Sequence, residues 1–282
     1  MPANLYALGA IALWITLASL GVSLRHIPPF LLTGVALLMG SALALPFVLK
    51  DRRAWKIPLP TLALGIYGLF GYHFLLFIAL RHAPPVEANL VNYLWPLLMV
   101  VLAPLLLAGP RLRALHVLAA LLGFGGAALA ILSAGNSAAV GSAGWSWGFL
   151  PALASAFIWA SYSLLTQRVR AFPTAAIGLF GLVSGLLSLL CHWALEPQAL
   201  LTGRDWLLLA VMGCGPLGAA FFLWDKALKL GDARQIGILS YLTPLGSTAL
   251  LLLVSGRPLS GSIGLAAAMI LGAAVLGTRT KN

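Results

Sequence analysis

Polar positions divide this chain into ten apolar runs. Each is close to the roughly 20 residues that an α-helix needs to cross the ~30 Å hydrocarbon core of a bilayer. The runs cover 4–23, 28–49, 59–80, 86–107, 114–134, 146–166, 174–195, 206–228, 234–255 and 261–279. The third begins beside Pro60 and the eighth beside Trp206. Connections are short. The longest, Gly135 to Trp145, is rich in Gly, Ser and Ala and reads as a flexible linker halfway along the chain.

The pattern also repeats. A shift of 148 positions lays Gly65 on Gly213, Leu69 on Leu217, Phe74-Leu75 on Phe222-Leu223 and Ala79-Leu80 on Ala227-Leu228. Tyr93, Leu94, Pro96 and Leu97 then fall on Tyr241, Leu242, Pro244 and Leu245. With one deletion, Gly109 and Leu112 fall on Gly256 and Leu259. An internal repeat determines how the rest of a fold is read. Here it gives a first unit at 1–135, a linker at 136–145 and a second unit at 146–282.

Composition fixes the solvent. Of 282 residues, 61% are hydrophobic and 8% charged, against about 25% charged in soluble domains. The chain reads as an all-α integral membrane protein. Its net charge of +11 would point to nucleic acid in a soluble protein; here it sets orientation. With the N-terminus inside, Lys50, Arg52, Arg53, Lys56, Arg111, Arg113, Arg168, Arg170, Lys226, Lys229, Arg234, Arg279 and Lys281 are cytoplasmic. Arg25, Arg81, Arg204 and Arg257 are outside. By the positive-inside rule both termini are cytoplasmic. No Lys or Arg precedes the first run, which reads as a retained helix rather than a signal peptide. Cys191 and Cys214 lack metal or redox spacing.

Five helices per unit is an odd number, so the second unit enters the membrane from the opposite side. Ten transmembrane helices then form two inverted five-helix repeats. Secondary transporters are commonly built this way, with substrate held near the midplane between the halves.

Ten helices in two halves with both termini inside resemble the drug/metabolite transporter superfamily, and its EamA-type exporters in particular. The stretch Gly71-Tyr-His-Phe-Leu-Leu-Phe-Ile-Ala-Leu80, with Asn89-Leu-Val-Asn-Tyr-Leu-Trp-Pro96, is similar to the branch that exports aromatic and other amino acids. The resemblance implies efflux of small metabolites across a bacterial inner membrane without ATP.

Candidate chemistry lies near the middle of the helices. Pro96 and Pro244 are each about ten residues into their runs, a depth of ~15 Å at 1.5 Å per residue. Each removes a backbone hydrogen bond and clashes with the preceding turn. They are candidate hinges; the alternative is tolerated kinks. Trp55, Trp145, Trp147, Trp193 and Trp206 suit interfacial anchoring. Trp14, Trp159, Tyr72, Tyr93, Trp95 and Tyr241 are deeper, where rings either pack helices or line a binding cavity. His73 is the ionisable side chain nearest the middle, suited to a substrate carboxylate, a proton relay, or a plain interhelical bond. Asn89 and Asn92 add polar capacity to the fourth helix, and Ser240 and Thr243 to the ninth. Glu87 and Asp225 lie near helix ends; Asp225, beside Lys226 and Lys229, is expected at the cytoplasmic surface. Small residues in the fifth and tenth helices suit scaffolding or a dimer face.

The sequence carries no phosphate-binding glycine loop, no His–acid metal set and no Ser–His–acid set. A membrane enzyme is therefore disfavoured, and no cofactor or metal is expected. A passive channel lacks an evident filter. The expected partners are a small-molecule substrate (an amino acid or similar metabolite) and the lipid bilayer, not nucleic acid. A broad drug or metabolite effluxer is the alternative reading. A monomer is compatible with the sequence, which leaves oligomeric state open.

Overall fold

The computed structural model describes residues 3–108, 113–134, 146–254 and 261–278. Regular structure among these residues is helical throughout. Counting an interrupted run as one rod, the first half contains α1 (Ala3–Ser23), α2 (Pro29–Lys50), α3 (Leu59–His82), α4 (Pro85–Leu106) and α5 (Ala114–Ala134). The second contains α6 (Phe149–Leu165), α7 (Ala176–Leu195), α8 (Gly203–Leu230), α9 (Ala233–Val254) and α10 (Gly261–Thr278). Eight rods are long and apolar enough to cross a membrane; α6 and α10 are apolar but shorter. The repeat pairs beyond Leu97, the linker Gly135–Trp145, and Arg111, Arg257, Arg279 and Lys281 lie outside the described residues.

Proline at the first or second position starts α2 (Pro29), α3 (Pro60) and α4 (Pro85). Its missing N–H is no loss there, and its fixed φ already suits a helix. α8 begins three residues earlier than the hydropathy of Trp206 suggests. Thr202 and Asp205 form a reciprocal capping box that satisfies the first N–H groups. α6 begins later than residue 146, because the Ser146 hydroxyl donates to the His82 carbonyl and the chain turns before Phe149.

Six rods run unevenly or break, and four of the irregularities recur at the repeat offset. A π-helical turn interrupts α3 at Tyr67–Gly71 and α8 at Gly215–Ala219. α4 breaks at residues 93–94 and α9 at 240–241. Pro96 and Pro244 therefore do not kink continuous helices from within. Each sits in the first turn of the segment after the break, Trp95–Leu106 or Leu242–Val254. The break falls between each proline and the carbonyl four residues earlier, Asn92 or Ser240, which an unbroken helix would force into the ring.

Small residues set the closest approaches. A Cβ added at Gly126 of α5 would lie 2.8 Å from Ile270 and 3.0 Å from the Ala266 carbonyl of α10. These two helices thus pack backbone to backbone, as their composition suggests. At the π turn of α8, a Cβ on Gly218 would run into the Gly213 carbonyl and lie 2.8 Å from Gly40 of α2. The main buried cluster joins Trp14, Trp95, Trp159, Phe180, Phe221 and Trp224.

Candidate functional site

The irregular turns aim the side chains. A π turn adds one residue to a helical turn and rotates the side chains beyond it about the axis. Tyr72 and His73 come directly after the π turn of α3, and Phe221 and Trp224 after that of α8. Asn92, Tyr93 and Trp95 flank the break of α4; Thr243 and Pro244 come after the break of α9. With Trp14 from α1 and Trp159 from α6, most of these side chains surround a cavity of about 700 Å³.

Its floor is aromatic. Trp159 lies at the centre, with ring centroids 5.9 Å from Trp14, 5.4 Å from Tyr72, 6.3 Å from Trp95 and 5.6 Å from Phe221. Trp224 closes the stack from beneath, 5.1 Å from Trp14 and 5.6 Å from Trp95. Edge and tilted geometries place ring edges against ring faces, as the aromatic quadrupole favours. Two buried indole N–H groups are satisfied: Trp14 donates to the Pro216 carbonyl at 3.1 Å and Trp224 to the Ser163 hydroxyl at 3.1 Å. The first of these ties α1 to the π turn of α8.

One wall is polar. The Asn92 amide bridges the Tyr72 hydroxyl (3.1 Å) and the Ser155 hydroxyl (3.0 Å). His73 Nδ1 is 2.6 Å from the Leu69 carbonyl. A carbonyl only accepts, so Nδ1 carries the proton; in the neutral ring Nε2 is then an acceptor. Asn89, Tyr93, Ser247 and Thr248 extend this lining. The hydroxyls of Thr33 and Thr243 also border the cavity, and they find no hydrogen-bond partner among the described residues.

The two ends of the bundle differ. The cavity reaches the end that carries Arg25 and Arg81. There Arg81 donates to Glu196 at 2.7 Å. Glu196 also accepts from the Phe30 and Leu31 N–H groups, at the start of α2, and pairs with His192 at 3.0 Å. At the opposite end Asp225 is not at the surface, as its sequence neighbours suggest, but buried, 4% exposed. Its carboxylate turns inward because Lys229 (2.6 Å) and the Thr174 hydroxyl (2.6 Å) neutralise and bond it there.

Of the residues singled out from the sequence, Trp14, Tyr72, His73, Asn89, Asn92, Tyr93, Trp95, Trp159 and Pro244 line this one cavity. Ser240 and Tyr241 do not. Ser240 bonds back to the Gly237 carbonyl, and Tyr241 is fully buried with Ala127 and Ile270, its ring filling the space left by Gly123. Pro96 is buried behind the lining, where its carbonyl faces Gly237. Among the candidate anchors, Trp147, Trp193 and Trp206 are exposed, Trp55 bonds the Ala175 carbonyl, and Trp145 lies outside the described residues. Phe221, Trp224, Arg81 and Thr33 were not evident as lining or floor residues from depth and polarity. The repeat held a signal for one: Phe221 stands 148 positions after His73, and their rings lie 6.4 Å apart.

Comparison with known proteins agrees with this architecture. The chain is 41% identical over 283 residues to the aromatic amino acid exporter YddG of Ancylobacter novellus, covering 98% of this chain and 96% of that protein. It is 30% identical over 288 residues to the aromatic amino acid exporter YddG of Escherichia coli, covering 97% and 96%. A solved crystal structure superposes with a TM-score of 0.89 at 39% identity, covering 98% of this chain and 97% of the other. The model of the EamA-like transporter family matches residues 1–132 and again 146–279. The chain belongs to the EamA-like transporter family, and it is a multi-pass membrane transporter rather than an enzyme.

Proposed function

We propose that this transporter exports aromatic and other neutral amino acids, or closely related metabolites, by alternating access. The observation that carries the reading is the cavity itself. Its volume of about 700 Å³ falls within the ~300–1,000 Å³ common for small-molecule sites. An aromatic floor suits an aromatic side chain, and the wall of Tyr72, His73, Asn89 and Asn92 suits a polar amino-acid head. The names of the YddG relatives point to the same substrate class.

In this reading the ten rods cross the membrane as two inverted repeats, 1–135 and 146–282, joined by a periplasmic linker at 136–145. The breaks before Pro96 and Pro244 act as matched hinges. The protein sits in the inner membrane with both termini cytoplasmic, so the cavity opens outward. Reporters at Arg168 and near Lys229 then read cytoplasmic, and one near Gly148 periplasmic.

Counterflow in sealed vesicles tests the function. Preloaded unlabelled phenylalanine or tryptophan should drive uptake of the labelled amino acid, and lipophilic cations should not. A broad drug effluxer would give the reverse preference, and a passive channel would show no counterflow.

A further inference from the structure

Lys229 is the repeat mate of Arg81, 148 positions on. The two cations end the corresponding rods α8 and α3, yet they meet different partners. Arg81, at the open end, reaches sideways to Glu196 and lies 5.7 Å from the centroid of the Phe30 ring. Lys229, at the end opposite the mouth, is a hub. Its Nζ donates to Asp225 (2.6 Å) and the Phe172 carbonyl (2.8 Å), and lies 4.0 Å from the centroid of the Phe172 ring. Thr174 donates its own proton to the same Asp225 oxygen. Nearby, the Gln167 amide donates to the Leu228 carbonyl at 2.7 Å. These bonds fasten the last turns of α8 to the connection between α6 and α7. They also hold Trp224, next to Asp225, against Trp14 and Trp95 at the cavity floor.

We propose that Lys229, Asp225 and Thr174, with the Phe172 carbonyl, are the gate residues that close the transport path at the end opposite the cavity mouth. Release of the Lys229 hub frees the end of α8, carries Trp224 off the floor and opens the path to the other face. The physical case is one of context. Charge-assisted bonds around a buried carboxylate are strong where they are dry. They weaken once water enters, so the closed state holds until the floor moves. Asp225 Oδ1 has no hydrogen-bond partner among the described residues, so the cluster is closed at an unrelieved polar cost. That suits a contact made to be broken. The proposal rests on alternating access, but its labelling test needs no substrate, so its failure is separable from that of the substrate assignment.

The test is thiol labelling beneath the floor. Ser163, fully buried and bonded to Trp224, is replaced by Cys in a background in which Cys191 and Cys214 are Ala. A membrane-impermeant thiol reagent is applied to each face in turn. In that background labelling should be slow from both faces. Adding Lys229→Gln or Asp225→Asn should raise it by about tenfold from the face opposite the mouth, the population shift expected when such bonds are lost. Lys226→Gln, a neighbouring cation over Tyr6 instead, should leave it unchanged. As a second measurement, a short thiol cross-link between Gln167→Cys and Leu228→Cys should stop transport reversibly while leaving binding from the mouth side intact. Unchanged labelling in both gate variants, an equal rise in Lys226→Gln, or full transport in the cross-linked protein would each overturn the gate.

Discussion

The α3–α4 and α8–α9 segments share a backbone design and differ in their side chains. Both pairs carry a π turn, then a break, then a proline in the next turn, at offsets of 147 to 148 residues. The side chains at matched positions diverge. His73 answers to Phe221, Asn89 to Gly237, Asn92 to Ser240 and Tyr93 to Tyr241. In α3–α4 these residues line the cavity with polar groups. In α8–α9, Phe221 gives an apolar ring, Gly237 packs on Met99, and Tyr241 points away against Gly123. The backbone irregularities match where the two halves share the Tyr-Leu-x-Pro-Leu motif and glycines at each π turn. At these four positions the first half carries polar groups to the cavity and the second does not, although Thr243, Ser247 and Thr248 of α9 add hydroxyls further along.

Breaking the floor common to both halves should have the largest effect. Trp159 touches rings from α1, α3, α4 and α8. Trp159→Ala should cost about 3 to 5 kcal/mol of stability, as for other buried Trp truncations, and abolish transport. Thermal unfolding in detergent and vesicle uptake measure the two. The exposed Trp206→Ala should change neither.

The contrast between His73 and Phe221 is next. His73→Phe should weaken substrate binding by roughly 13- to 160-fold, since a hydrogen bond to a charged group such as an amino-acid head is worth about 1.5 to 3 kcal/mol. Phe221→His should instead destabilise the fold, by about 1 to 3 kcal/mol if the new imidazole finds no partner. Equal effects of the two substitutions on binding and stability would mean that the halves are not divided into wall and floor.

Smaller still is the tyrosine pair. Tyr93→Phe should reduce affinity by about 2- to 13-fold, the range of one hydroxyl hydrogen bond at 0.5 to 1.5 kcal/mol. Tyr241→Phe, behind the cavity, should leave binding unchanged. A loss of affinity in Tyr241→Phe would move Tyr241 itself into the site. The smallest effect on stability belongs to the prolines, where Pro96→Ala and Pro244→Ala should each change it by no more than about 1 kcal/mol. Both should slow counterflow, and by similar factors if the hinges are matched. Parent-like rates in both would reduce them to prolines tolerated after a helix break.

The apolar runs and the repeat were enough to mark the rods, the membrane environment and the place of Trp14, His73, Tyr93 and Trp159 along them. Period, length and charge are local properties, and lipid solvent leaves helices few alternatives. The repeat also fixed where the irregular turns recur, although not that those at 67–71 and 215–219 are π-helical. Only the tertiary structure decided which way each side chain faces. Tyr93 and Tyr241 share a motif and a place in the repeat, yet the packing of Gly123 and Ile270 takes one of them out of the cavity. Burial of Asp225 was likewise invisible. Its neighbours Lys226 and Lys229 suggest water, but Lys229, Thr174 and the Phe172 carbonyl come together only when α8 meets the start of α7. A charge's environment is set by contacts distant in sequence, and no window along the chain contains them.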